Sequence, residues 1–452
     1  MWIYGDALLR DLVPSVAPCL PPCLPPCLPP CLPSVPSGSG LSVMPRARGA
    51  LMEPVRVLEL YSGIGGMHFA LKGCGISAQV VAAVDINTTA NHIYKHNFPS
   101  TPLWSKSIEG IPLEDFNKLS IDMILMSPPC QPFTRLGLKR DVVDQRTKSF
   151  LYVLDLLPRL SPRPRYILLE NVKGFEESCA RNQLMKTLNE CGYHFKEIMV
   201  SPTSVGIPNS RLRYFLMAKH SDEGFSAETH SQILEAFPVH TDLDVSEQQT
   251  VLTPHQPEVT GPEQAQVLYK LETPTEVQRK QKQNSDMSIK QIQDFLDPDP
   301  DLDLDQYLLP PKTLLRYTNI LDIVRPSCRR SVCFTKGYGR YIEGTGSVLQ
   351  SSPEAEEQFL SQEFREELKG AVPVITVEQV YRGLEELSEE QRLKRLQCLR
   401  LRYFTPREVA KLMGFPQSFE FPEDVPLKQR YKVLGNSLNV CVVCKLLQIL
   451  LS

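Results

Sequence analysis

Short apolar runs, most of them separated by helix-prone stretches, constrain this chain more than any other feature of its sequence. The runs occupy residues 55–60, 80–84, 121–126, 166–169 and 213–218. Buried strands that alternate with helices are typical of a doubly wound α/β sheet, covered by helices on both faces. Ligands of such sheets bind in the crevice at the carboxyl ends of the strands. The residues at the ends of these runs are therefore the first candidates for function.

Composition divides the chain into further segments. Residues 1–51 contain a Pro-Cys-Leu-Pro repeat at residues 18–33, which predicts an extended, disordered piece without a chemical role. Residues 52–220 hold the apolar runs and form the predicted large domain. Residues 221–310 are acidic and polar, which indicates a mostly disordered linker. Residues 311–400 indicate a small second domain with an acidic insert, and we expect residues 401–452 to complete the large domain.

The balance of charge and the cysteine usage exclude some classes of protein. The chain has 49 Lys and Arg against 52 Asp and Glu, so its net charge of -3 excludes a strongly basic nucleic-acid coat, although not a local basic cleft. No apolar run reaches the ~18 residues of a membrane-spanning helix, which predicts no membrane partner. The 13 cysteines lack the spacing of a secreted disulfide framework and favour the cytoplasm, with the nucleus as a second location.

A glycine-rich turn follows the first apolar run. Its sequence is Tyr61-Ser62-Gly63-Ile64-Gly65-Gly66, and a predicted helix comes next. Glycines at such a place let a ligand approach the backbone, while the N–H groups of the helix point at the crevice. Asp85, which ends the second run, is placed to accept hydrogen bonds from ribose hydroxyls. These features indicate a nucleotide-like cofactor, and a plain tight turn is the alternative.

Reactive side chains follow or precede the other runs. Two prolines stiffen the turn at residues 127–132 and would hold Cys130 at the crevice as a nucleophile, although a buried structural cysteine is the commoner case. Glu170 follows the next run, where burial would favour its protonated form and suit it to acid catalysis. Arg211 and Arg213 leave the start of a strand on one face and could clamp a carbonyl oxygen or a phosphate.

In this order the motifs resemble those of the cytosine-C5 methyltransferase family. The matching residues are 61–66, 128–130, 170–172 and 211–213, followed by 405–416 and 435–437. The resemblance covers most of residues 55–220 and 401–452. It implies a class I S-adenosylmethionine-dependent methyltransferase, with a Rossmann-like doubly wound sheet and a small target-recognition domain. Residues 328–339 in the target-recognition region resemble the signature of a eukaryotic branch of the family that methylates tRNA.

The resemblance also implies a mechanism. Cys130 would add to carbon 6 of cytosine and make carbon 5 reactive towards a methyl group. Glu170 would protonate N3, Asn171 would support the same pocket, and Arg211 and Arg213 would hold the base. The implied cofactor is S-adenosyl-L-methionine. Its site would comprise Ile64, Gly65, Gly66, Asp85, Ile108, Glu109 and Ser437.

By the same resemblance the substrate would be cytosine 38 in the anticodon loop of tRNA-Asp. We further expect weak DNA binding and a monomeric protein. A DNA cytosine-C5 methyltransferase would use the same chemical residues and is the first alternative. A non-catalytic nucleic-acid-binding scaffold on the same fold is the second alternative, and the presence of Cys130, Glu170 and both arginines speaks against it.

Basic residues outside the motifs are candidate phosphate contacts, with a solvated surface as the alternative. They are Arg392, Lys394, Arg395, Arg400 and Arg402, together with Lys139, Arg140, Arg146 and Lys148. No metal site is predicted, because Cys441 and Cys444 lie in an apolar helix where packing is the more common role of cysteine. The role of Cys333, in the target-recognition region, stays open.

Overall fold

The structure is a computed structural model that describes residues 53–130, 144–220, 232–238, 274–297, 303–351 and 377–452. The predicted extension, most of the predicted linker and the acidic insert lie outside these residues, as do Lys139 and Arg140. The described chain contains a seven-stranded sheet and a three-stranded sheet.

The large sheet has the strand order β3-β2-β1-β4-β5-β7-β6. Its strands pair in parallel except β7, which is antiparallel to both of its neighbours. Their bounds are β1 Val55–Leu60, β2 Ala78–Val84, β3 Leu103–Trp104, β4 Met123–Met126, β5 Tyr166–Val172, β6 Tyr193–Val200 and β7 Arg213–His220. The chain therefore reverses its winding direction between β1 and β4, and such a switch point is where open α/β sheets bind ligands.

Both faces of this sheet are covered, which explains why its central strands are apolar without interruption. Successive residues point to opposite faces, so Val57 belongs to one core cluster and Leu58 to the other. The covering helices are α1 Gly66–Gly73, α2 Thr88–Asn97, α3 Leu113–Lys118, α4 Lys148–Leu156 and α5 Cys179–Glu190. The predicted doubly wound α/β fold is confirmed.

Some details of the strand prediction were wrong, and the two-residue strand β3 was not predicted. Residues 170–172 do not follow β5 but are its last residues, because the strand continues to pair with β7 up to Val172. Strand β6 was missed because His194, Lys196 and Glu197 interrupt its apolar pattern. In the folded chain His194 is exposed, whereas Glu197 is buried and paired with Arg181.

The small sheet has the order β10-β9-β8, formed by Ile323–Val324, Val348–Gln350 and Leu401–Arg402 as β8, β9 and β10. It has a core cluster of its own, to which Leu314, Val380 and Leu396 contribute. Three helices pack around the small sheet: α7 Pro311–Tyr317, α8 Val377–Tyr381 and α9 Glu389–Gln397. Helix α6 Pro274–Ser285 precedes them in the chain.

The chain ends in helices α10 Pro406–Leu412, α11 Leu427–Gly435 and α12 Val440–Leu451. Helix α12 lies against α1 and its apolar face belongs to the core of the large sheet. Length and composition alone would allow the segment Leu427–Leu451 to cross a membrane, but 61% of its most apolar window is buried inside the protein. This segment is accordingly a core element of the fold.

The phosphate-contact prediction for Arg402 was wrong. Its guanidinium is buried and donates to both carboxylate oxygens of Glu408 at 2.8 Å. Glu408 also caps helix α10 through the backbone N–H of Thr405. Three other predicted contacts form ion pairs with carboxylates: Arg400 with Asp305, Lys394 with Glu390 and Arg146 with Asp144. A basic residue in a helical stretch looks the same in sequence whether its partner is a phosphate or a carboxylate.

Candidate active site

The carboxyl ends of the central strands open into a cavity of about 330 Å³. The elements that line it are the glycine turn after β1, the ends of β2, β4 and β5, the start of β7 and the end of α11. Of the predicted site residues, the structure brings together at this cavity Ile64, Gly66, Asp85, Cys130, Glu170, Arg211, Arg213 and Ser437.

The remaining predicted site residues do not line the cavity. Gly65 has φ +86, and a Cβ there would lie 2.5 Å from the ring of Phe98, so its lack of a side chain permits packing against α2. Asn171 is buried and donates to the backbone oxygen of Pro128 at 3.3 Å, which supports the turn before Cys130. Ile108 is a core residue and Glu109 is exposed on a short 3-10 turn.

The carboxylate of Asp85 is held in place by backbone hydrogen bonds and can accept further ones from hydroxyl groups. The backbone N–H groups of Gly63 and Asn87 donate to its two carboxylate oxygens, at 2.9 Å and 2.7 Å. Burial raises the pKa of this carboxyl, and the two backbone hydrogen bonds oppose that rise. Each oxygen keeps lone pairs for a further donor, so the carboxylate is held in place and can bind a diol.

Ile86 is a cavity residue that sequence reasoning missed. Its side chain is 70% exposed and follows Asp85 directly. An exposed apolar side chain beside a carboxylate suits a ligand that has a flat apolar ring next to a sugar. The sequence held only a weak signal, because isoleucine at the end of a buried strand is normally part of the core.

Cys130 and Glu170 both line the cavity and interact with each other electrostatically. Burial raises the pKa of the Cys130 thiol, and the Glu170 carboxyl adds to that rise, while Arg213 and Arg211 act against it. Burial also raises the pKa of Glu170, again against Arg213 and Arg211. The Nε of Arg213 lies 3.5 Å from Glu170 Oε1. A carboxyl group held closer to neutrality in this way can donate a proton to a bound base.

Arg211 connects three parts of the chain. Its buried guanidinium donates to the backbone oxygens of Phe334 at 2.9 Å, of Gly435 at 3.1 Å and of Ser437. It also contacts the sulfur of Cys333 at 3.2 Å. Arg211 therefore holds the segment at Phe334 and the end of α11 against the start of β7, and this arrangement supports the wall of the cavity.

Cys333 contacts Arg211 and Arg213 and does not belong to the lining of the cavity. Burial opposes ionisation of this thiol, but the positive charges of Arg211 and Arg213 outweigh burial and lower its pKa. The Nη2 of Arg213 is 3.8 Å from the Cys333 sulfur. The structure thus contains two thiols near one pair of arginines, and only Cys130 faces the cavity.

Gly435 provides a steric test of the cavity wall. A Cβ there would lie 2.5 Å from the backbone oxygen of Thr335 and closer still to the backbone nitrogen of Lys336. Backbone atoms cannot rotate away, so we expect Gly435→Ala to lower the free energy of unfolding by about 1–3 kcal/mol. Since Gly435 lines the cavity, affinity for a cofactor should fall as well. Urea denaturation and cofactor titration measure the two effects.

Gly73→Ala is the matched control, because this glycine also ends a helix but has room. The nearest side-chain atom to a Cβ at Gly73 is the Cys444 sulfur at 3.8 Å, an ordinary contact. Alanine in a helix is favoured over glycine by about 0.5–1 kcal/mol, so this variant should be as stable as the parent or more so. Equal stability of the Gly435 and Gly73 variants would contradict the steric account of the wall.

The strand order, with β7 antiparallel between β5 and β6, is that of the class I methyltransferase fold. A solved Schizosaccharomyces pombe methyltransferase is similar in structure at a TM-score of 0.62 and 33% identity, covering 88% of this chain and 98% of that one. The family model of C-5 cytosine-specific DNA methylases matches residues 55–451, so the chain belongs to that family, as its motifs predicted.

Two vertebrate relatives are tRNA (cytosine(38)-C(5))-methyltransferases. The chain is 53% identical over 411 residues to the tRNA (cytosine(38)-C(5))-methyltransferase of Homo sapiens, covering 88% of this chain and 100% of that protein. It is 54% identical over 413 residues to the Mus musculus protein of the same name, covering 88% and 94%. A crystal structure of a mutant Spodoptera frugiperda DNMT2 has a TM-score of 0.66 and 35% identity, covering 88% of this chain and 100% of that one.

Proposed function

We propose that this chain is an S-adenosyl-L-methionine-dependent tRNA methyltransferase that modifies carbon 5 of cytosine 38 in the anticodon loop of tRNA-Asp. The observation that supports the chemistry is that Cys130, Glu170 and Arg213 line the same cavity as Asp85 and the glycine turn. The human and mouse relatives, named for cytosine 38 of tRNA and matched over most of both chains, support the substrate.

The cofactor end of the cavity fits S-adenosyl-L-methionine. The carboxylate of Asp85 has free lone pairs for the ribose hydroxyls, and the exposed side chain of Ile86 suits the adenine ring. Gly63 and Gly66 leave the turn without side chains at the cavity wall. When bound, this cofactor supplies an electrophilic methyl group on a sulfonium.

The reacting end of the cavity fits cytosine. The thiolate of Cys130 would form a bond to carbon 6, and the electron pair of the double bond between carbons 5 and 6 would shift into the ring. The resulting enamine is nucleophilic enough at carbon 5 to accept the methyl group. Glu170 donates a proton to N3 and so neutralises the charge that builds up on the ring. Solvent would then take the carbon-5 proton, and the electron pair of that bond would re-form the double bond between carbons 5 and 6 and expel Cys130 as a thiolate. N3 would return its proton to Glu170.

An RNA loop is a suitable source of the target base. A base must leave its stack before Cys130 and Glu170 can reach it, at a cost of a few kcal/mol in a duplex and less where the base is unpaired. The chemistry alone would serve DNA equally well, so substrate choice depends on the surface around the cavity.

Transfer of label from radioactive S-adenosyl-L-methionine tests this function. We expect the full-length protein to label tRNA-Asp, but neither the same tRNA with its loop cytosine replaced by uridine nor duplex DNA. Preferential labelling of DNA would overturn the RNA substrate and keep the reaction. No labelling of any substrate by a protein that binds the cofactor would favour the non-catalytic scaffold.

A further inference from the structure

An ordered turn follows the segment that Arg211 holds in place. We call residues 335–341 the recognition turn. Within it, the backbone N–H of Tyr338 donates to the oxygen of Thr335 at 3.0 Å, and that of Tyr341 donates to the oxygen of Gly337 at 2.9 Å. The Thr345 hydroxyl donates to the backbone oxygen of Tyr341 at 2.7 Å. These hydrogen bonds fix the direction in which the side chains of the turn leave the backbone.

The two tyrosines of the recognition turn have opposite environments. Tyr338 is buried, and its hydroxyl donates to Ser347 O at 2.7 Å and accepts from Phe404 N at 2.9 Å. Tyr341 is 56% exposed, and the Arg340 guanidinium carbon lies 4.9 Å from the centre of its ring. Packing explains Tyr338. The Tyr341 ring lies in solvent beside the Arg340 guanidinium, where it is open to stacking by a planar ligand.

The recognition turn borders the cavity. Its backbone at Thr335 and Lys336 packs so closely on Gly435 that only glycine fits there, and Gly435 lines the cavity. Further along the turn, Gly339 packs against the ring of Tyr431 on α11. The exposed ring of Tyr341 therefore stands on a rigid support that is continuous with the cavity wall.

The segment around this turn has a positive net charge, whereas the net charge of the whole chain is negative. Residues 325–342 contain five basic residues and no acidic one, whereas the whole chain has a net charge of -3. Arg330 is paired with Asp322, but Lys336 and Arg340 are exposed. Helix α11 adds the exposed Lys432, and Glu343 is the acidic residue that follows the turn. Exposed cations around an exposed aromatic ring are the chemistry that binds single-stranded nucleic acid.

We propose that Tyr341 stacks on an unpaired nucleobase of the RNA loop that delivers the target cytosine, while Lys336 and Arg340 contact the adjoining phosphates. This inference rests on the proposed function and adds a residue that selects the substrate. A loop can turn a neighbouring base outward onto a ring, as recognition of single-stranded RNA commonly requires. A duplex keeps that neighbour paired, so the contact discriminates against duplex DNA.

Variants that remove or keep the ring test the proposal in the full-length protein. Tyr341→Ala should lower kcat/KM for tRNA-Asp by between about fivefold and a hundredfold, the range for loss of one stacked base. Tyr341→Phe and Tyr341→Trp keep a ring and should stay near the parent. Affinity for the cofactor should not change in any of them, which shows that each variant is folded. Met287→Ala removes another exposed apolar side chain and should have no effect.

A fluorescent base gives a direct readout of the contact. The tRNA would carry 2-aminopurine beside the target cytosine, and its quenching on binding would be compared among the variants. We expect quenching with the parent, Tyr341→Phe and Tyr341→Trp, and its loss in Tyr341→Ala. Equal kcat/KM for the parent and Tyr341→Ala, or the same loss in Tyr341→Phe, would overturn the stacking role while the methyltransferase stands. An inactive parent would instead overturn the proposed function.

Discussion

Replacing Cys130 by alanine is expected to lower methyl transfer to tRNA by on the order of a thousandfold or more, the scale of loss seen when a covalent nucleophile is removed. Carbon 5 of cytosine attacks a sulfonium methyl group only after a nucleophile has added to carbon 6. Cys130 follows β4 and Glu170 lies at the end of the neighbouring strand β5, whereas Asp85 and Ile86 follow β2, on the other side of β1. Cofactor affinity should therefore survive the substitution, and titration of the variant with S-adenosyl-L-methionine measures it.

Cys333 is the rival thiol and provides the control. Electrostatics alone would favour it, because Arg211 and Arg213 lower its pKa, whereas burial and Glu170 raise the pKa of Cys130. The position of Cys333 argues against it as the nucleophile. Cys333 contacts both arginines but does not line the cavity. We therefore expect Cys333→Ala to weaken the cavity wall and slow turnover, but to leave addition to carbon 6 intact.

A trapped adduct separates these two roles. RNA that carries 5-fluorocytosine at the target position has no carbon-5 proton to lose, so the sulfur–carbon bond cannot break after methyl transfer. The parent and Cys333→Ala should form a complex that survives a denaturing gel, and Cys130→Ala should not. A stable complex of Cys130→Ala with this RNA would assign the nucleophile elsewhere.

The doubly wound sheet could be predicted from the sequence because burial on both faces leaves its central strands continuously apolar. The same reasoning placed Cys130 and Glu170 at one crevice, since the carboxyl ends of parallel strands meet at one edge. Arg211 was predicted to hold the base, although most of its donors bind backbone oxygens. Those acceptors come from residues more than 120 positions away in the chain, and local pattern contains no information about them.

Tyr341 and Ile86 were missed for the opposite reason. Apolar and aromatic residues are usually buried, so exposure is visible only once the fold is known. Gly65 shows a third limit, because glycine is required both where a ligand approaches and where a ring packs. The sequence could not distinguish a ligand from the side chain of Phe98.

A buried acid lies beneath the glycine turn and makes stability depend on pH. Glu59, on β1, is fully buried, and the Tyr94 hydroxyl donates to its Oε2 at 2.8 Å. Tyr94 also bonds His68 Nδ1 at 2.8 Å, so the chain of hydrogen bonds joins β1, α2 and α1. Burial raises the pKa of Glu59 to about 8, although Tyr94 and the backbone N–H of His68 act against the rise. The carboxyl is therefore protonated near neutral pH.

Because Glu59 keeps its proton in the folded state, the stability of the protein falls as pH rises. Between pH 4.5, the ordinary pKa of the group, and about 8, the folded state keeps a proton that the unfolded state has released. The free energy of unfolding consequently falls by about 1.4 kcal/mol per pH unit, or about 4 kcal/mol from pH 5 to pH 8. Glu59→Gln cannot ionise and should lack this contribution. The stability of the variant relative to the parent should rise by that amount between the two pH values, as measured by urea denaturation.

Glu197→Gln is the matched control, because Glu197 is also buried but forms an ion pair with Arg181 and accepts a hydrogen bond from Tyr214. Removal of its charge leaves the positive charge of Arg181 without its partner, so this variant should be less stable than the parent at both pH 5 and pH 8. A stability difference between Glu59→Gln and the parent that stays constant over this range would show that Glu59 is ionised in the folded protein. The hydrogen-bonded chain beneath the glycine turn would then hold a buried charge instead of a proton.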